Sequence, residues 1–197
     1  MKIILGLSVL LGTGLLRSEP LAVIAIQPLG PINQADLKVV ADGIRASYAV
    51  MVEILPPKPL PDAAYYAPRR RYKAEGITED LVAGISPKFK KIIGVTASDI
   101  STTKDDGKDW GIMGLGQYGG KACVISTFRL GKNKIAPAIF EARFVKVVNH
   151  ELGHTFGLPH CETAGCLMQD KHGKVATVDS ESGKPCEICA ARLPLRN

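Results

Sequence analysis

His150-Glu151-Leu152-Gly153-His154-Thr155-Phe156-Gly157-Leu158-Pro159-His160-Cys161 is the stretch on which the reading of this chain turns. Two histidines four positions apart on a helix share one face, with Cβ atoms about 5–6 Å apart. Both can therefore ligate one zinc at about 2.0–2.1 Å. Glu151 is offset by one position, so it does not compete as a ligand yet can reach a water in the fourth position. Gly157 can end the helix in a left-handed conformation and turn the chain. That brings His160, stiffened by Pro159, to the same point from outside the helix. Three histidine ligands leave a corner open, which suits a catalytic zinc rather than a structural one. HExxH alone recurs by chance, but HExxHxxGxxH adds a third ligand and a turn glycine at fixed offsets. The plainer reading is a set of helix histidines satisfied in the core. It is weakened because three of the chain's four histidines fall on ligand positions.

The residues that follow supply a second constellation. Cys161 and Cys166 are separated by four residues, Cys186 and Cys189 by two. Paired thiolates bridged by a longer loop suit a closed tetrahedral zinc with sulfur distances near 2.3 Å, which contributes folding energy rather than chemistry. Two disulfides are the alternative, favoured only if the chain is exported. Cys123 falls in an apolar strand and reads as a small core residue. His172 lies between the cysteine pairs and is expected to face water.

Upstream, Leu21 to Gln27 reads as a buried strand ended by Pro28. Asn33 is placed to cap a helix with Leu37, Val40, Ala41, Ile44 and Tyr48 at helical spacing. Val50 to Leu55 and Ile92 to Ala97 read as further strands. Pro56 to Gly76, with five prolines and the run Arg69-Arg70-Arg71-Tyr72-Lys73, reads as a surface loop. Thr78 is placed to cap a short helix with Leu81, Val82 and Ile85 inward, and Ser101 to Asp109 reads as polar turn. Gly111 to Gly116 and Ala122 to Thr127 read as a hairpin about Gly119-Gly120. Pro137 suits the first turn of a long helix, with Glu141 complementing its dipole. Its apolar face runs through Phe144, Val147, Val148 and Leu152 to Phe156. Beyond Gly157 periodicity is weak, with one further helix expected over Cys189 to Leu195. The result is a strand-and-helix upper lobe (about 18–157) and an irregular lower lobe (about 158–197), within one catalytic domain over 18–197. A tail of that kind needs staples.

With 46% hydrophobic and 22% charged residues the chain is ordinary for a soluble globular domain, which excludes disordered and fibrous classes. The formal charge of +6 permits anionic partners without naming one. Residues 1–17 form an apolar leader: Lys2, no charge from Ile3 to Leu16, then Arg17. It is short for a membrane span and its cleavage site is weak, so a cytoplasmic location is expected. Export by this segment as a signal is the alternative.

From His150 to Cys189 the pattern HExxHxxGxxHC, then Cys166-Leu167-Met168, then Cys186-Glu187-Ile188-Cys189 resembles the archaemetzincin family of metallopeptidases. Val124-Ile125-Ser126 followed by Arg129-Leu130 is similar more weakly. Before residue 100 the similarity is confined to the initial strand. The resemblance implies an α+β, zincin/metzincin-like fold, with a twisted mixed sheet and helices above a cleft and a small zinc-stapled lobe below. It implies His150, His154 and His160 as catalytic zinc ligands and Glu151 as general acid/base. Met168 would form the Met-turn under the histidines, and Cys161, Cys166, Cys186 and Cys189 would hold a second zinc, making two per chain. Some metzincins carry a tyrosine two residues after that methionine; here the position is Asp170, so that oxygen ligand is missing.

The expected function is hydrolysis of peptide or protein substrates by a zinc-activated water, the peptide pairing with a strand edge over Gly111 to Gly116. The rival from another class is a zinc-stabilised peptide- or protein-binding module with little peptidase activity. A third reading makes the Arg69–Lys73 run a phosphate-binding site. A solvated basic loop accounts for that run more simply, so no nucleic acid is expected.

Overall fold

The computed structural model describes residues 21–104, 107–131, 135–170 and 173–196. The apolar leader and His172 lie outside them. No helix among the described residues is long and apolar enough to cross a membrane.

Among the described residues nine strands and five helices build the fold: β1 Val23–Leu29, α1 Gln34–Ser47, β2 Met51–Ile54, β3 Tyr65–Tyr66, β4 Arg71–Lys73, α2 Ala74–Gly84, β5 Lys91–Thr96, β6 Ile100–Thr103, β7 Asp109–Ile112, β8 Gly114–Gly116, β9 Ala122–Ser126, α3 Pro137–Thr155, α4 Val175–Ser180 and α5 Glu187–Ala190. The main sheet has the order β2-β1-β5-β9-β8, parallel except for β8. Buried parallel strands read as continuous apolar runs because both faces are covered. Alternate residues divide between two cores. Ile24, Ile26, Ile93, Val95, Cys123 and Ile125 pack with α1 and α3, while Ala25, Ile92, Ala122 and Val124 pack with α2.

The expected cap on α1 is present: Ala35 N donates to Asn33 Oδ1 at 2.9 Å, and Leu37, Val40, Ala41 and Ile44 are buried. α3 starts at Pro137 and carries its apolar face to Thr155, as its pattern predicts.

Several local expectations are corrected. Pro28 does not end β1, which pairs with β5 through Pro28 and Leu29. Ile26 O and Pro28 O accept from Leu55 N and Lys58 N, both on the β2 side. A strand residue directs its N–H and C=O the same way in a parallel ladder, so the donor that proline lacks would also have faced β2. Its natural acceptor there is Pro56 O, and the buried Gln27 Nε2 donates to that oxygen instead, at 2.7 Å. The β5 ladder loses nothing.

Pro56 to Gly76 is not a plain loop. It contributes β3, β4 and the start of α2, with Leu60, Ala64 and Ala74 buried. Thr78 lies inside α2, where its hydroxyl donates to Glu75 O at 2.9 Å, and Val82 is 36% exposed. Ser101 to Asp109 carries most of β6, which pairs antiparallel with β7. Ser101, Thr102, Thr103 and Asp109 lie on a second sheet, ordered β3-β4-β6-β7, while the expected turn is kept between Lys104 and Lys108, where Lys104 N donates to Lys108 O. In the lower lobe α4 is added, and the final helix is only Glu187–Ala190.

The second sheet also changes the meaning of the basic run. Arg71 and Lys73 are tied to acids: Lys73 Nζ to Asp109 Oδ1 at 2.6 Å, and Arg71 Nε 3.6 Å from both Asp99 and Asp109. Arg129 completes the network with two bonds to Asp99, at 2.8 and 2.9 Å. Removing one partner of a partly buried ion network leaves the others uncompensated. Asp99→Ala is expected to cost about 2–4 kcal/mol of stability in urea unfolding. A loss below about 1 kcal/mol would show that water serves the two guanidinium groups equally well.

Candidate metal centre and cleft

The buried face of α3 presses Phe144, Val147, Val148 and Leu152 onto the sheet, and this fixes the rotation of the helix. His150 and Glu151 face inward at 2% and 8% exposure. After Thr155 the helix stops, and Gly157 takes φ +85° as expected. That value is costly for any residue with a Cβ.

The imidazoles are then held by carbonyls. His150 Nδ1 lies 2.8 Å from Leu167 O, and His154 Nδ1 lies 2.8 Å from Leu158 O. A carbonyl only accepts, so each ring carries its proton on Nδ1 and presents a bare lone pair at Nε2. Those two Nε2 atoms are 3.1 Å apart. Facing lone pairs repel unless a cation is shared between them, and two nitrogens of a tetrahedral zinc would stand about 3.3 Å apart. Burial also pushes the His154 pKa down, favouring the neutral form that ligates. His160 arrives from the loop, its ring centroid 5.5 Å from His150 and 4.9 Å from His154. One ligand atom from each of the three lies within 4.8 Å of the others. The donor set fits zinc.

The four cysteines converge in the same way, with one sulfur from each within 4.8 Å of the others. None is in a disulfide, so the export-linked pairing does not appear. Cys161 Sγ and Cys186 Sγ, from different pairs, are 3.8 Å apart, close to the edge of about 3.8 Å for a tetrahedron of sulfurs around zinc. The Cys189 N–H bonds the Cys186 sulfur and draws its pKa down to about 6, while burial pushes the Cys166 and Cys189 thiols up, so without a metal the cluster favours a thiolate at Cys186 alone of these three. Cys123 is fully buried in β9, as expected of a core residue.

Met168 is fully buried, and a Cβ placed on Gly153 would meet its Sδ at 2.5 Å. The thioether therefore packs on the turn of α3 between His150 and His154.

A family model for "Peptidase family M54" matches residues 60–194. The chain belongs to peptidase family M54. It is a metallopeptidase, and its relatives are archaemetzincins. The one from Natronomonas pharaonis is 32% identical over 175 residues, covering 85% of this chain and 97% of the relative. The archaemetzincin of Archaeoglobus fulgidus, solved with malonate, superimposes at a TM-score of 0.74, with 30% identity over 87% of this chain and 99% of that one. That of Methanopyrus kandleri gives 0.73, with 26% identity over 89% and 94%. Similarity thus extends well before residue 100, beyond the single strand expected there. The M54 match takes in β3, β4, α2 and β6, whose short elements carry little pattern of their own.

In this M54 chain a cleft of about 510 Å³ runs past the histidines, lined also by Gly114, Leu115, Gly116, Tyr118, Lys104 and Asp170. The expected single strand over Gly111 to Gly116 is two strands in different sheets, broken at Met113. β7 reaches the cleft at Ile112, and β8 borders it along its whole length. Its glycines are what let α3 approach: a Cβ on Gly114 would stand 2.6 Å from Glu151 Cγ, and one on Gly116 only 2.3 Å from Glu151 O. A glycine within a strand signals close backbone approach, and that reading was available from Gly114 and Gly116 alone. Lys91 escaped notice because a lysine in an apolar run gives no cue to its partners. It is buried, donates to Gly120 O at 2.7 Å and Thr155 O at 2.5 Å, and so caps α3.

The two glycine contacts differ in what can yield. Gly114→Ala meets a side chain and is expected to lower turnover about tenfold or more while the fold survives. Gly116→Ala meets backbone and is expected to lower stability by about 2 kcal/mol or more as well. Thermal unfolding beside peptidase assays separates them; two variants indistinguishable from wild type would contradict this packing.

Proposed function

We propose that the chain is a metzincin-type peptidase in which His150, His154 and His160 hold a catalytic zinc and Glu151 is the general acid/base. The observation that carries the reading is the pair of Nε2 atoms at 3.1 Å, each with its Nδ1 already engaged, beside a nearly buried glutamate in a cleft. Zinc held by these three histidines would supply Lewis acidity to the attacking water and the scissile carbonyl. Glu151 takes the proton of the attacking water and delivers it to the departing amine. The confined position of Glu151 against Gly114 restricts its carboxylate to the cleft side. β8 ends the main sheet, so an extended peptide can lie along its outer edge as one more strand.

Cys161, Cys166, Cys186 and Cys189 would close a second, structural zinc, giving two per chain. Met168 would be the Met-turn beneath the catalytic site. The upper lobe then runs to Gly157, and the thiolates staple the lower lobe. Free cysteines suit a reducing compartment, so the cytoplasm is the proposed location.

Glu151→Gln is expected to lower kcat by about 10²–10⁴-fold while metal analysis still finds two zincs per chain. Undiminished cleavage of a peptide mixture by that variant would refute the glutamate's role. Cys166→Ser is expected to lose one zinc and about 3 kcal/mol or more of stability. A variant that keeps both zincs would remove the four-thiolate site.

A further inference from the structure

The three histidines are not supported alike. His150 and His154 have their outer nitrogens fixed by the carbonyls of Leu167 and Leu158, and both sit on one rigid helix. His160 comes from the loop after Gly157, with its side chain 49% exposed. Its Nδ1 faces a side chain, the Asp170 carboxylate, with Oδ2 at 3.8 Å. Asp170 lies two residues beyond Met168, on the segment whose Leu167 carbonyl already orients His150, and it lines the same cleft. Its negative charge is also felt at His154.

We propose that Asp170 is a positioning residue for the third ligand: its carboxylate accepts the Nδ1–H of His160 and turns Nε2 toward the point shared by His150 and His154. This rests on the zinc-site reading above. The contact needs to shorten by about 1 Å to become a hydrogen bond, which small side-chain rotations supply for two half-exposed groups. A carboxylate in that place orients the ring and raises its basicity, as outer partners of metal-ligating histidines do. It also settles the charge. Three neutral imidazoles leave a dication uncompensated, and Glu151 and Asp170 together balance it. The loop-borne histidine would thus receive its orientation from Asp170, the acid that faces its Nδ1.

The test is zinc affinity of the full chain, measured by competition with chelators of graded strength on wild type, Asp170→Asn and Asp170→Glu. Asp170→Asn is expected to weaken the histidine-bound zinc by about 10–100-fold, leave the thiolate-bound zinc unchanged, and lose activity that excess zinc restores. Asp170→Glu is expected to recover most of the affinity. Wild-type affinity in Asp170→Asn overturns the proposal. So does a raised KM with zinc affinity intact, which would make Asp170 a substrate contact. Zinc found only at the thiolates of the wild-type chain would overturn the site reading itself, a failure distinct from the other two.

Discussion

The structure depends on how three consecutive residues, Cys166-Leu167-Met168, are held. Cys166 belongs to the four-thiol cluster, and its sulfur accepts from Cys186 N at 3.2 Å. Leu167 O orients the His150 ring, and Leu167 N is bonded to Lys184 O. Met168 packs under α3, and its carbonyl accepts from Cys161 N. One short segment therefore ties the thiol cluster to the histidine cluster. Leu167 and Met168 are also buried in the main apolar core with Leu158, Val178 and Leu193, so packing and the thiol cluster together fix the segment that orients the imidazole. The thiol cluster therefore lies one residue away from a carbonyl that orients the histidine cluster, and as the proposed zinc site it would support both.

The upper lobe meets the same demand from the other side. α3 has its rotation set by Phe144, Val147, Val148 and Leu152, its end capped by Lys91, and its approach to β8 set by two glycines. Gly119 N adds a bond to His154 O. Catalytic groups need this kind of over-determination because small displacements of a ligand or base are costly in rate. The ion network of Asp99, Arg129, Arg71, Asp109 and Lys73 anchors β4 and β7 just before the chain crosses to β8. It extends the same rigidity to the cleft's rim.

The parts visible in the sequence share a physical origin. The histidines, Gly157 and the cysteine pairs fall at the fixed spacings that ligand geometry would dictate for the proposed zinc sites, and such spacings can be recognised without the fold. The long helices and buried parallel strands show in the periodicity of their apolar residues. What was hidden depends on contacts distant along the chain. β3, β4 and β6 are short, and their polar residues are paired with acids and strands far away, so Arg71 and Lys73 read as a solvated run. The continuation of β1 through Pro28 needs the Gln27 amide to satisfy Pro56 O, which no local pattern reveals. Asp170 was noted only for the oxygen ligand it does not supply, because its partner His160 is brought near by the turn at Gly157.

The central claim is that three imidazoles share one metal and leave a corner free beside Glu151. Anomalous diffraction at the zinc edge, on crystals of the chain as purified, addresses it most directly. Two peaks per chain are predicted, one bonded to three histidine nitrogens with no fourth protein ligand and one enclosed by four sulfurs. A single peak at the sulfurs, or a protein group closing the fourth position of the histidine site, would contradict the account.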